Sequence, residues 1–296
     1  MTEVVPAVSP DLPSKRWRAI LAALRRLPQG ALSRGFGRLA DTPLPRAMRP
    51  SVLGTFARMT GIDVSEAELP IIEYGSLNDF FVRRLKPGVR PWTAPSNAAG
   101  SPVDGVVGQF GQVRRGALLQ AKGREYTAAA LLADENEAKR YEGGAFLTLY
   151  LSPRHYHRIH APCGGTIPRA VHLPGTLLPV NAPSVAHVAD LFARNERLLC
   201  YIDGPLGRVA VVAVGAYNVG RISAAFDDEW RQPPTNQRRA LTDTHEYQPP
   251  RSIKAGEEIM AFHLGSTVVL LFEHRAQLSA QLRLGAEIRL GSRIAS

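Results

Sequence analysis

From about residue 76 to the C-terminus, apolar residues come in short runs cut by Gly, Pro and Asn, the longest of them resembling VAVVAV from Val209 to Val214. Runs of this length, bounded by turn formers, are strands and not long helices. They also fall far short of the roughly 20 apolar residues that a bilayer-spanning helix needs. Upstream the rhythm changes. Residues 15 to 75 read as mainly helical, including SVLGTFARMTG from Ser51 to Gly61, where Gly61 marks a helix end. The expected fold is therefore α+β, with an N-terminal helical, membrane-associating region followed by a mainly antiparallel β sandwich or barrel core. The domain reading is 1–75 for the leader and helical region, of which residues 1–14 are a flexible leader, and 76–296 for the β-rich body. With 296 residues, 45% of them hydrophobic, the chain can bury one sizeable core. The stretch from Asp227 to Arg251 breaks the strand rhythm with Pro233, Pro234, Pro249 and Pro250, and reads as a mobile loop, either a lid over an entrance or a plain insertion.

Charge narrows the partners. The formal net charge is +10, and between Lys15 and Arg49 nine basic residues stand against Asp41 alone. Within that stretch Trp17, Ile20, Leu21, Leu24 and Leu27 fall on one face of a helix, with Arg18, Arg25 and Arg26 elsewhere around it. Such a helix suits the surface of an acidic bilayer, or packs its apolar stripe on the body of the protein. No nucleic-acid motif accompanies the charge, so nucleic acid is not an expected partner. The N-terminus, MTEVVPAVSPDLP, lacks the charged and apolar regions of a signal peptide. Peripheral attachment to the cytoplasmic face of the cell membrane is the expected location. Cys163 and Cys200 form no CxxC pair and read as small buried residues.

Three segments carry chemistry. FHLGSTVVLLF, from Phe262 to Phe272, contains a Gly265-Ser266 bond at which a chain can cut itself. A serine hydroxyl attacks the preceding carbonyl only through a compact backbone, and glycine there leaves the approach free of a Cβ. The amide becomes an ester, and elimination across the serine Cα and Cβ leaves dehydroalanine, which hydrolyses to a pyruvoyl group with loss of ammonia. Taken alone, Gly-Ser-Thr before an apolar run is also an ordinary turn and strand. SPVDGVVGQFG places Asp104 in a turn, and LYLSPRHYHRIHAP brings His155, His157 and His160 within six residues. Carboxylate, imidazole and serine form a unit defined by geometry and not by chain order. Asp104 could equally be only a turn former.

With NDFFVRRLKPGVRPW, QAKGREYT, LFARNERLLCYID and GEEIMAFHLGST in order around these segments, the chain from about Leu44 onward resembles bacterial phosphatidylserine decarboxylase proenzymes. The resemblance implies that Asp104, His160 and Ser266 carry self-cleavage, with His157 an additional active-site residue for decarboxylation. It implies a β chain of residues 1–265 and an α chain of residues 266–296, and a pyruvoyl group from Ser266 that forms a Schiff base with the substrate amine. A homodimer is left open. An electrophile of this kind is needed because no ordinary side chain holds the electrons left when carbon dioxide departs. The five lysines, Lys15, Lys86, Lys122, Lys139 and Lys254, occupy no setting typical of pyridoxal phosphate.

Other assignments stay open at this level. His157 is the first candidate to protonate the α-carbon and His160 the competitor. On an extended segment the two would face opposite sides, reaching one site only if the Arg158-Ile159 region bends or is helical. His155 is an exposed or packing residue, and His263 either aids cleavage or points outward. No ligand-spacing template supports a metal. The competing functions are a pyruvoyl decarboxylase of a soluble amino acid and a β-rich lipid-binding module without catalysis.

Overall fold

The computed structural model describes residues 35, 37–121, 124–216, 222–231, 241–263 and 266–296. The basic stretch from Trp17 to Leu27 and the residues Leu264 and Gly265 lie outside them.

In chain order the strands are β1 (Ala99–Gly100), β2 (Gly105–Gln112), β3 (Ala117–Ala121), β4 (Arg124–Thr127), β5 (Ala145–Leu151), β6 (Arg158–His160), β7 (Gly165–Leu173), β8 (Arg197–Gly204), β9 (Gly207–Val214), β10 (Ile222–Ala224), β11 (Asp243–Ile253), β12 (Glu258–Phe262), β13 (Ser266–Phe272), β14 (Glu287–Ile288) and β15 (Arg293–Ala295). Among the described residues, eight of them build the main sheet in the order β11, β7, β8, β9, β13, β5, β2, β14. Each neighbouring pair is antiparallel. A three-stranded sheet, β10, β12, β6, stands beside it. The α+β class and the antiparallel core read from the sequence are both found.

The apolar run after Ser266 takes the middle of the main sheet. All seven residues of β13 are buried, because the strand has a partner on each side and covered faces above and below. A continuous apolar run fits that position, whereas a half-exposed strand would alternate. Gly105 permits the close approach of the Asp104 turn to β5, since a Cβ there would lie 2.8 Å from the Tyr150 carbonyl oxygen.

Helix α1 (Arg49–Thr60) starts with Pro50 in its first turn and ends at Gly61, whose φ of 77° is the left-handed conformation that glycine adopts without strain. Its buried residues Leu53 and Ala57 form a second, smaller cluster with Ile62, Ala67, Tyr74 and Phe80. Helix α2 (Leu77–Phe81) is capped by Ser76, whose hydroxyl accepts from the Asp79 amide at 3.1 Å. It joins the two clusters: Phe80 enters the smaller and Phe81 the main core.

The stretch from Asp227 to Arg251 departs from the loop expected of it. Residues 243–251 belong to β11, which pairs with β7 through a register shift between Glu246 and Arg251. Prolines are tolerated there because β11 is an edge strand, and Pro249 and Pro250 sit where the pairing is interrupted. The start of the stretch is pinned as well. Asp227 accepts from Tyr247 Oη at 2.5 Å and His245 Nδ1 at 2.7 Å, and the His245 ring stacks on Trp230 at 4.1 Å.

Candidate active site

The two sheets meet where the chain is expected to break. Phe262, at the end of β12, donates its backbone N–H to the His157 carbonyl at 2.9 Å in the small sheet. Ser266, at the start of β13, is in register with Leu151 of the main sheet. The chain thus leaves the small sheet at Phe262 and enters the main sheet at Ser266, and the 152–156 segment makes the corresponding passage between β5 and β6. Ser266 itself is 1% exposed, and its Oγ has no hydrogen-bond partner among the described residues. A buried hydroxyl left unpaired is costly, at about 1–3 kcal/mol.

After the turn at 152–155 the histidine stretch is strand β6 from Arg158 to His160, neither bent nor helical there, and the imidazoles of His157 and His160 have separate surroundings. His157 is fully buried against Phe81, ring centroids 4.1 Å apart. Its Nδ1–H donates to the His155 carbonyl at 2.8 Å, which fixes the tautomer and leaves Nε2 as a lone pair with no partner among the described residues. Burial, with a smaller contribution from the nearby Arg83 charge, pushes the His157 pKa down to about 3, so the ring is neutral near neutrality. His160 has the same tautomer in a different setting. Its Nδ1–H donates to the Gly256 carbonyl at 2.8 Å, and its Nε2 accepts from Tyr156 Oη at 3.1 Å. Burial also lowers the His160 pKa. His155 is buried and packs: its Nδ1 accepts the Ser152 N–H at 2.9 Å and closes the turn.

Asp104 is placed differently from a triad carboxylate. Both of its oxygens are taken by Arg90, with contacts of 2.7 and 2.9 Å, and Oδ1 also accepts the Leu290 N–H at 2.9 Å. Arg90 bridges onward to Glu66 at 2.7 Å. Burial opposes the Arg90 charge, but its hydrogen bonds to Asp104 and Glu66 outweigh this and raise its pKa. The histidine-directed hydrogen bonds belong instead to Gly256, Tyr156 and His155. His263 receives the Asn78 Nδ2 donor on Nδ1 at 3.1 Å, and its Nε2 meets Ser223 Oγ at 3.1 Å.

Sequence reading did not find Arg90 and Tyr156, which hold Asp104 and His160. Arg90 lies inside the quoted NDFFVRRLKPGVRPW segment, where one arginine among several carries no sign of its partner. Among the described residues, no cluster of three or more His, Cys, Asp or Glu is arranged to hold a metal ion. The residues present do suit a group made from the chain: a buried serine hydroxyl at a strand start, with no hydrogen-bond partner among the described residues.

A buried serine hydroxyl at a strand start, in a chain with buried imidazoles whose pKa burial lowers, suits a proenzyme that makes its own prosthetic group. Residues 77–296 match the family model for phosphatidylserine decarboxylase. The chain is 46% identical to the phosphatidylserine decarboxylase proenzyme of Anaeromyxobacter sp. over 93% of its length and 96% of the relative's. It is 42% identical to that of Myxococcus xanthus over 94% and 98%, and 41% identical to that of Brevibacillus brevis over 92% and 96%. The chain belongs to the phosphatidylserine decarboxylase family. As a member it is a carboxy-lyase made as a proenzyme of α and β chains, with a pyruvoyl group derived from its own backbone.

Proposed function

We propose that the Gly265-Ser266 bond is the one that breaks, that Ser266 becomes the pyruvoyl group, and that the mature enzyme converts phosphatidylserine to phosphatidylethanolamine and carbon dioxide. The observation that carries the assignment is the unpartnered, buried Oγ of Ser266 at the first residue of β13. The pyruvoyl group supplies an electrophilic carbonyl that accepts the electrons released with carbon dioxide. The chain's own residues do the rest. His160, neutral and presenting Nε2, takes the Ser266 proton once Tyr156 gives up its hydrogen bond to that nitrogen and the Arg158-Ile159 strand bends to bring the ring to the His157 side. Asp104 acts at short range through its negative field and by fixing the segment that carries Leu290, with Arg90 setting its orientation. His157, whose Nε2 carries a lone pair, takes a proton from the substrate ammonium, which must become an amine to react, and returns it to the α-carbon after carbon dioxide leaves, while its packing on Phe81 excludes water.

The wider assignments follow the same reading. Residues 1–75 form the leader and membrane-associating region, and 76–296 the catalytic body. The basic stretch from Lys15 to Arg49 attaches the enzyme to the anionic, cytoplasmic face of the cell membrane. No described helix is long and apolar enough to cross a membrane. A homodimer would double the mass of the processed enzyme in light scattering.

Intact mass is the deciding measurement. Freshly purified protein should contain two chains, the smaller of 31 residues (296 less 265) and blocked to Edman sequencing. Ser266→Ala should remain a single full-length chain; persistent cutting at the same bond would remove Ser266 as the nucleophile.

A further inference from the structure

Arg83 follows α2 and is 3% exposed, yet its Nε and Nη1 have no hydrogen-bond acceptor among the described residues. Its Nη2 reaches only the Arg154 carbonyl, at 3.4 Å, and the guanidinium lies 5.7 Å from the Phe80 ring centroid. The carboxylates close enough to influence it are Glu66 and Asp104, both engaged by Arg90, and Asp63, whose oxygen accepts from Ser65. The Tyr74 and Tyr156 hydroxyls also act on its charge. Arg83 is thus a buried cation with two open donors and no ion-pair partner among the described residues. A buried charge in that state is strongly unfavourable unless something anionic completes it.

Its place in the fold says where the anion belongs. Arg154 lies in the 152–156 segment that crosses between the sheets beside Ser266, and the Arg83 charge is felt at His157. Three buried polar groups without partners among the described residues, Arg83, His157 Nε2 and Ser266 Oγ, therefore flank the 152–156 segment or contact it. We propose that Arg83 is the anion-binding residue of the substrate site and that the anion it takes is the phosphodiester of the lipid headgroup. This rests on the assignment of Ser266 and His157 above.

The substrate carries two anions, and the chemistry separates them. A guanidinium on the carboxylate would favour the ground state most, because that charge disappears as carbon dioxide leaves, and so would raise the barrier. The phosphodiester keeps its charge in substrate and product alike. Binding it holds the headgroup in place without opposing the reaction, and charge-assisted hydrogen bonds to its two free oxygens satisfy the open donors.

The test compares processed wild-type enzyme with Arg83→Lys and Arg83→Met. Intact mass first establishes that each variant has cut itself. Glycerophosphoethanolamine, which keeps the phosphodiester and lacks the carboxylate, should inhibit the wild type and lose about 10- to 100-fold in affinity with Arg83→Met, partly restored by Arg83→Lys. Inhibition by ethanolamine should not change, and the loss with phosphatidylserine vesicles should fall on KM more than on kcat. Unchanged glycerophosphoethanolamine affinity in a processed variant overturns the proposal, and if KM for phosphatidylserine still rises, Arg83 holds the carboxylate instead. If neither variant processes, the wild type decides: glycerophosphoethanolamine competing no better than ethanolamine overturns the proposal. Failure of the underlying site reading has a separate signature, cutting that persists in Ser266→Ala.

Discussion

The prospective α chain is held in two contrasting ways. β13 lies between β9 and β5, with seven buried residues and ladders on both sides. The tail beyond it contributes only the two residues of β14 and the three of β15, each with one strand partner. The tail is held by ties of two kinds: burial of Ile294, Ala295, Leu282 and Leu290, and the Leu290 N–H on Asp104, the Gly291 N–H on the Ser101 carbonyl, and Glu287 paired with Arg154. Apolar burial and two ladders fix the end that begins with Ser266, while the other end adds polar ties to segments carrying the candidate catalytic residues. The difference teaches that the two parts of one short piece are secured by different balances of burial and polar contact.

The contrast is broken most severely at β13. Leu270→Ala, at a fully buried central position, should cost about 2–5 kcal/mol, seen as a lower denaturant midpoint in the uncut Ser266→Ala background. A cost below about 1 kcal/mol would mean that the ladder and not apolar burial holds the strand.

Asp104→Asn should cost less, about 1–3 kcal/mol, because Glu66 remains to compensate Arg90 while the Leu290 tie is weakened. It should also slow self-cleavage, followed as the rate of appearance of the small chain by mass. Normal cleavage with lowered stability would confine Asp104 to a structural role.

His157→Gln tests the acid side. The folded His157 pKa lies near 3, below its ordinary 6.5, so the unfolded chain takes up the proton first. Stability is then full above about pH 6.5 and falls as pH drops from there toward 3. In His157→Gln that fall should be shallower, while His155 and His160, also lowered by burial, keep part of it. An unchanged slope in urea titrations across this window would show that His157 is protonated in the folded state.

The smallest effect belongs to Glu287→Gln. Its ion pair with Arg154 is about half exposed on both sides, so the change should be about 0–1 kcal/mol and vanish at high salt. A larger, salt-independent loss would give the tail an anchor comparable to β13.

Much of this was legible in the chain because local pattern and final position agree. VVLLF is unbroken since β13 is buried on both faces, and Gly61 ends α1 because it takes a positive φ there. The Arg158-Ile159 region is extended, as β6, and His160 within it keeps different company from His157 just before it. What escaped depends on residues distant in sequence. Pro249 and Pro250 look like a loop until β11 is known to be an edge strand. Asp104 looks like a histidine partner until Arg90 is found on both its oxygens. Arg83 reads as one more surface cation, since nothing in FFVRRL says that this arginine, unlike Arg84 beside it, is buried.

That only three residues separate Phe262 of β12 from Ser266 of β13 has a thermodynamic consequence. While the chain is whole, β13 leaves and re-enters its slot as a unimolecular event, closed by a three-residue tether at high effective concentration. Once the bond is broken that tether is gone, and return becomes an encounter between two molecules. Equilibrium unfolding of the mature enzyme should then depend on protein concentration where that of the precursor does not. The cut that makes the electrophile also converts a folded chain into a complex, and its persistence at low concentration rests on how slowly β13 can leave two ladders at once.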